Sequence, residues 1–585
     1  MNRSIVSFVL LVLLPTAVAR PAVADTVEAS VLAAQQRRID VIGHAMQTAV
    51  SIFAGEAGGG SGVLISADGY AITNFHVVQP AGVAMRCGLA DGKLYDAVLV
   101  GLDPTGDVAL VKLLGREDFP HASLADSDAV EVGDFCFAAG NPFLLATDLQ
   151  PSISVGIVSG VHRYQFPAGT ILEYTDCLQV DAAINPGNSG GGLFDAAGRI
   201  IGINGRASFE KRGRVNVGVG YAISANQLRN FLGFLKGGRL VDHATLGATV
   251  ATSADGRVVV SDILENSDAF RRGLRYDDEI LALAGRPVRT VNAFKNILGT
   301  LPAGWQVPLV YRRSGRRVEM LVRLAGVHSP AQLARLVAPE EREPPRDGGA
   351  AKPRETPPLP GVIRGLYEAR PGFTNHVFNV VERDRVAKAI ESQSASLRDS
   401  GPWVLAGPLA DGGDFRIALS DTEGVIDLPT GTTRVDAGRD LDATPNPPGS
   451  GGMLAALLLW RRLTREGPAA VGRTEYWGTV PLHAHRGSQV VAADHGADGQ
   501  VPLLDALTMS VAAVEARCVV DDAGRIVAID LWAQPDADPC EIRFSGSLAG
   551  DAPPGMPSLM EVRHGGDLFG VFRIESAMFD AKDSP

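Results

Sequence analysis

Between residues 46 and 223 the chain alternates short β-branched runs with glycine-rich breaks: "AVSIF", "SGVLIS", "YAITNF", "DAVLVGL", "VALVKLL", "SISVGIVSGV", "RIIGIN" and "VGVGYAIS". Runs of this length and spacing predict many short antiparallel strands joined by tight turns, as in a barrel or sandwich. The periodicity then changes: "SANQLRNFLGFLKGG" places apolar residues three and four apart, predicting a helix with Ser224 at its N-cap and Gly237 at its stop. A second unit spans 244–325, with strands at "RVVVSDIL", "EILALAG", "VPLVYRR" and "RVEMLVRL" and a helix at "TVNAFKNILGTL". Residues 326–361, ending in "PEEREPPRDGGAAKPRETPPLPG", are expected to be a linker, because proline, glycine and like charges oppose a packed core. The remainder, 362–585, mixes strands with one strong helix, "GGMLAALLLWRRLTREG", and is expected to fold alone as an α+β domain. Its "ARCVVDDAGRIVAIDLW" suggests a hairpin in a curved sheet with a helix against it, an arrangement able to hold an apolar ligand.

Composition narrows the classes. The chain has 585 residues and a formal net charge of −12, so several domains are expected and general nucleic-acid binding is not, since that requires cationic charge. The first 24 residues carry Arg3, an apolar run from Ile5 to Leu14 and two Ala-Val-Ala sites, which predicts a secretory signal peptide cut before Asp25. The apolar run is too short to span a bilayer, so an exported protein with no stable membrane span is expected, in the periplasm, cell envelope or extracellular space. Among five cysteines, Cys518 and Cys540 flank a hairpin, and either a disulfide or two buried thiols would satisfy the spacing.

The candidate chemistry lies in "INPGNSGGG", 184–192. A serine nucleophile needs an imidazole to take its proton, a carboxylate to hold the imidazole in one tautomer, and backbone N–H groups facing the oxyanion. His76 follows an apolar strand in "GYAITNFHVV" and Asp107 precedes another in "DPTGDVALVKL". Asp103, in the same turn, is the competing carboxylate. A second serine among glycines, Ser450 in "PPGSGGM", opens a helix and reads as structural. His483 and His485 in "PLHAHRG" lack a matching ligand cluster, and no phosphate-cradling loop or zinc-protease helix is present, so neither cofactor nor metal is expected.

The segments "SGVLISADGYAITNFHVV", "DPTGDVALVKL", "SVGIVSGV", "DAAINPGNSGGGLFDAAGRIIGING" and "GVGYAIS" resemble, in sequence and order, the HtrA/DegP serine proteases over about 46–325. The resemblance implies a mainly β fold: a trypsin-like double β-barrel protease domain at 46–240, then an α+β PDZ domain at 244–325. It implies His76 as general base, Asp107 as its orienter, Ser189 as nucleophile, and the amides of Gly187 and Ser189 as the oxyanion hole. A peptide groove in the PDZ unit would involve Leu246, Gly247, Ala248, Asn292 and Phe294, although Asp277 stands where the family pattern has glycine. Ala182, Ala183 and Ile184 offer no acid for a basic side chain, and the resemblance implies cleavage after small or medium aliphatic residues, with which an apolar wall agrees. Unfolded proteins or peptides are the implied substrates, a homotrimer the implied assembly, and loops 161–176 and 205–217 the implied switch. The competing reading is a catalytically quiet chaperone or scaffold on the same fold.

Overall fold

Closing a sheet of short strands on itself gives every strand a partner and removes the edges. In the computed structural model, which describes residues 28–581 apart from 55–58, 142–147, 166–172, 210–215, 339–358, 438–449, 491–500, 512–513, 535–536 and 550–552, this happens twice. The strands Ala49–Phe53, Gly59–Leu64, Tyr70–Thr73, Ala84–Leu89, Leu94–Asp103 and Val108–Leu113 form one closed barrel. Phe135–Gly140, Ser152–Gln165, Tyr174–Val180, Gly192–Phe194, Ile200–Phe209 and Asn216–Ser224 form a second. Ile52, Leu64, Ala71 and Val111 belong to one apolar cluster on the first barrel, and Cys136, Val158, Val180 and Leu193 to another on the second. The mainly β double barrel expected from the sequence is present.

Three helices accompany the barrels: α1 (Ala29–Thr48), α2 (Phe75–Val78) and α3 (Ala225–Lys236). The sequence reading did not anticipate α1, whose first turns are solvent-exposed. Ser224 does occupy the N-cap of α3, but its side chain makes no cap bond and its buried Oγ finds no partner among the described residues.

The second unit is a sheet of Ala248–Thr252, Val258–Ile263, Glu279–Leu283, Gln306–Arg313 and Arg316–Arg323, with Arg286–Pro287 paired beside the third strand. Two helices pack with it, α4 (Asp268–Arg271) and α5 (Val291–Gly299). Asp277 adopts φ +67°, the left-handed conformation that aspartate tolerates better than most side chains. The linker begins later than expected. Ala325–Gly326 pairs with Ala244–Thr245, and α6 (Pro330–Val337) follows, started by a capping box between Ser329 and Gln332 with proline at the first helical position.

The C-terminal region begins with α7 (His376–Gln393) and contains α8 (Ser450–Glu466) between two antiparallel sheets. One sheet has five strands, from Ser400–Pro408 through Gly431–Asp436 plus the returning Ser576–Ala581; the other has seven, from Arg473–Pro481 to Asp567–Arg573 in chain order. The space between the sheets is occupied by α8 itself: Met453, Leu454, Leu457, Trp460 and Leu463 are all buried, and Trp460 meets Trp403 edge-on at 5.3 Å. A helix therefore takes the place where an apolar ligand was conceivable. Cys518 and Cys540 are free, buried thiols on strands Val514–Val520 and Cys540–Ser545, separated by the strand Ile526–Trp532. Two strand spacings are about 9.6 Å, beyond disulfide reach, and burial raises both thiol pKa values.

The C-terminal region does not stand apart. Phe378, Val480, Leu504 and Val519 share one apolar cluster with Phe234 of α3 and Trp305 of the second unit. Arg239 donates to Tyr476 O at 2.8 Å, Asn375 to Leu99 O at 2.9 Å, and Trp305 Nε1 to Thr479 O at 2.8 Å. Arg517 lies 3.5 Å over the Trp477 ring and donates to Gly304 O, and burial lowers its pKa to about 9. The tail also holds an apolar cluster of its own, from Val386 to Ile574, so a separate core and packing on the other two regions coexist.

The signal peptide expected at 1–24 lies outside the described residues, as does the centre of the linker. Among the described residues no helix is long and apolar enough to cross a membrane.

Candidate active site

The site forms where the two barrels meet. The strand Tyr70–Thr73 ends at Asn74, which caps the one-turn α2, and its Nδ2 donates to Asp107 O at 2.9 Å. Phe75 N donates to the same carbonyl at 3.2 Å. These bonds hold His76 against the turn "DPTGD" that carries Asp107. The Asp107 carboxylate is fully buried, whereas the His76 side chain is 38% exposed. His76 Nδ1 lies 2.8 Å from Asp107 Oδ2, and His76 N donates to Oδ1 at 3.0 Å. With Nδ1 committed to the carboxylate as donor, the lone pair falls on Nε2, the tautomer a general base requires. Burial alone would lower the His76 pKa, but the charge and hydrogen bond of Asp107 outweigh it and the pKa is raised.

The competing carboxylate has another use. Asp103 is also fully buried, and His243 Nε2 lies 2.8 Å from its Oδ2. Its Oδ1 also accepts from Gly106 N at 2.8 Å. Asp103 thus fastens the turn that ends at Asp107, and does so from a histidine at the junction with the second unit.

Ser189 sits on a loop clamped from both barrels. Ser61 N donates to Ser189 O at 2.9 Å, and Ser61 Oγ donates to Gly187 O at 2.6 Å while accepting from Asn141 N at 2.9 Å. Gly190 N donates to Asn204 O at 2.7 Å. At φ +83°, a Cβ on Gly190 would collide with Ser61 O and the Thr73 hydroxyl; one on Gly191 would collide with Ala139 O. Gly187 has φ +100°, and among the described residues neither its amide nor that of Ser189 donates a hydrogen bond. The loop faces α2: the space beside Gly60 is bounded by Val77, next to His76, and by Ser189 O. The Ser189 hydroxyl donates to Gly205 O at 3.3 Å, and no hydrogen bond joins it to His76.

The sequence reading brought His76, Asp107, Gly187 and Ser189 to one place and missed Ser61, Asn141 and Tyr174, whose hydroxyl donates to Asp107 Oδ2. These three have no local motif, since each acts across the junction between segments far apart in sequence. Ala182 and Ile184 are buried beside the loop, and Ala183 is exposed.

Residues 60–203 match the trypsin-like peptidase domain family. Over 277 residues the chain is 37% identical to the periplasmic serine endoprotease DegP of Escherichia coli (strain K12), covering 45% of this chain and 56% of that protein. This part of the chain is similar to the HtrA/DegP serine proteases. A probable periplasmic serine endoprotease DegP-like of Chlamydia trachomatis (serovar D) is 35% identical over 274 residues, covering 45% of this chain and 53% of that protein. The chain thus spans a little over half the length of the curated relatives it matches. A solved structure titled as the HtrA-type protease AlgW with tripeptide is 31% identical, covers 50% of this chain and 98% of that one, and superposes with a TM-score of 0.42.

Of the residues proposed for a peptide groove, Leu246 and Phe294 are buried at 3% exposure and Asn292 is exposed. Phe294 packs into the core of the second unit and offers no open surface. Gly247 has φ +70°, and Ala248 begins the edge strand Ala248–Thr252. The weak metal candidate His485 instead pairs with Glu541 at 3.2 Å. Among the described residues only Asp128, His162 and Asp176 gather as metal ligands could, and there Arg286 Nη1 lies 2.9 Å from Asp176 Oδ2, which disfavours a cation.

Proposed function

We propose that the chain is an exported serine endopeptidase that hydrolyses peptide bonds of unfolded or misfolded proteins, with Ser189 as nucleophile, His76 as general base and Asp107 as its orienter. The observation that carries this reading is the His76–Asp107 pair, with its carboxylate buried and its imidazole open to the cleft, facing a doubly clamped serine loop. In the reaction Ser189 Oγ leaves its long bond to Gly205 O, passes its proton to His76 Nε2 and attacks the scissile carbonyl. The Gly187 and Ser189 amides receive the oxyanion, His76 returns the proton to the leaving amine as the C–N bond breaks, and a water deprotonated by His76 then cleaves the Ser189 acyl ester, the proton returning to Ser189 Oγ. The buried Asp107 carboxylate, 2.8 Å from His76 Nδ1, stabilises the imidazolium.

The name periplasmic serine endoprotease of the relatives supports both the activity and an exported location. We assign the second unit as a PDZ domain, in which a peptide adds to the exposed edge Ala248–Thr252 beside α5, with its carboxylate on the Leu246–Ala248 loop. The apolar residues before the loop favour aliphatic side chains at the cleaved position. The test compares wild type with Ser189→Ala on unfolded casein. Degradation by wild type alone, at aliphatic sites, is expected; equal degradation by both ends the assignment, and equal protection of casein from aggregation by both supports the chaperone reading.

A further inference from the structure

The strand Tyr174–Val180 does two things at its first turn of chain. Glu173 N donates to Thr105 O at 3.0 Å, inside the turn that carries Asp107. Tyr174 is buried, and its hydroxyl donates to Asp107 Oδ2, the oxygen that also faces His76 Nδ1. Among the described residues this is the one side-chain donor to Asp107 that comes from the second barrel.

Two residues on, Asp176 is held by the second unit. Its N–H donates to Asn296 Oδ1 at 2.9 Å, and its carboxylate takes Arg286 Nη1 at 2.9 Å and His162 Nδ1 at 2.9 Å. Asn296 Nδ2 donates to His162 O at 2.7 Å. The exposed Asp128 is the remaining charged group in this cluster. Asp176, at φ +51°, and His162, at φ +54°, lie in the left-handed region, where aspartate and histidine are enriched among side chains, and the cross-unit bonds fasten this turned backbone. Thr175, between the two anchor points, packs so closely on Gly299 of α5 that a Cβ there would collide with it.

Resting on the protease reading above, we infer that Tyr174 is a positioning residue for Asp107, and that the second unit, through Asn296 and Arg286 on Asp176, sets where Tyr174 stands. A phenol donating to the carboxylate spreads its charge and fixes its plane. Without that donor Asp107 is a more basic acceptor, the His76 imidazolium is stabilised, and less free base exists at neutral pH.

The test uses the full chain with 15N-histidine, following the His76 titration in wild type, Tyr174→Phe, Arg286→Gln and the double variant, together with kcat and KM on a peptide substrate. Tyr174→Phe is expected to raise the His76 midpoint and lower kcat about 10- to 100-fold with KM little changed, as loss of a hydrogen bond to a charged group implies. Arg286→Gln should move both in the same direction by less and add nothing to Tyr174→Phe. An unmoved midpoint with kcat within about twofold of wild type in Tyr174→Phe overturns the positioning role, since a hydrogen bond to a charge carries more than that. Additive effects of the two substitutions overturn the coupling. Should Tyr174→Phe fail to fold, the Arg286→Gln midpoint decides: a rise sustains the inference and no change overturns it. Failure of the protease reading looks different: a wild-type chain whose His76 midpoint responds to these substitutions but which never cleaves peptide.

Discussion

Two histidine–aspartate pairs are built on one five-residue turn, and their difference separates chemistry from structure. Asp107 and Asp103 are both fully buried, and each accepts from a histidine at 2.8 Å. The His76 side chain is 38% exposed and opens to the serine loop, whereas that of His243 is 5% exposed and packs against Phe231 with ring centroids 4.6 Å apart and planes tilted by 31°. The chemistry of the pair is the same; access is not. In the proposed mechanism the base must reach the serine hydroxyl and the substrate beside it, which the cleft pair can do and the enclosed pair cannot, so the latter is left to hold the turn.

The sharpest way to break this comparison is to remove the groups on the open side. Ser189→Ala or His76→Ala should reduce kcat on the order of 10⁶-fold, because the triad acts as a unit, while thermal unfolding stays near wild type. Asp107→Asn should cost on the order of 10⁴ in kcat by favouring the wrong imidazole tautomer. Asp103→Asn should instead lower the melting temperature and leave kcat within about tenfold of wild type, as expected for a group that acts only through the turn. Equal kinetic losses from the two would erase the distinction. Gly190→Ala comes next: it places a Cβ against Ser61 O at φ +83°, and the displaced serine loop should lose about 100-fold in kcat/KM.

The smallest effect concerns pH. Burial alone would lower the His243 pKa, but the Asp103 carboxylate outweighs it, aided by Asp242 and by a backbone hydrogen bond at Gly299, and the pKa is raised. A group raised in the folded state contributes its full stability below its unfolded pKa, about 6.5 for histidine, and loses it as pH rises through the folded value. The melting temperature should therefore fall as pH is raised through that window, and His243→Gln should flatten the fall. A slope identical in both chains would show that this pair does not govern it.

The same contrast explains what the sequence disclosed. His76 after a strand, Asp107 before one and Ser189 among glycines are local signals, because each sits at the end of an element whose periodicity can be read. The choice between Asp107 and Asp103 needed the family likeness, since both lie in the same turn. The partners that aim them are remote: Tyr174 is 67 residues from Asp107, and His243 is 140 from Asp103. A buried tyrosine at a strand start looks like any core aromatic. The Ser329–Gln332 capping box, by contrast, was readable and was masked by the proline-rich composition around it. The docking of the tail was not readable, because Arg517 over Trp477 and Asn375 on Leu99 O join segments with no shared pattern.

The most direct measurement is to react the full chain with a fluorophosphonate, in the presence of an activating peptide or unfolded protein, and locate the adduct by peptide mass spectrometry. The account predicts a single adduct on Ser189 that is lost in His76→Ala and retained in Asp103→Asn. Labelling at another serine, or undiminished labelling of Ser189 without His76, would contradict it.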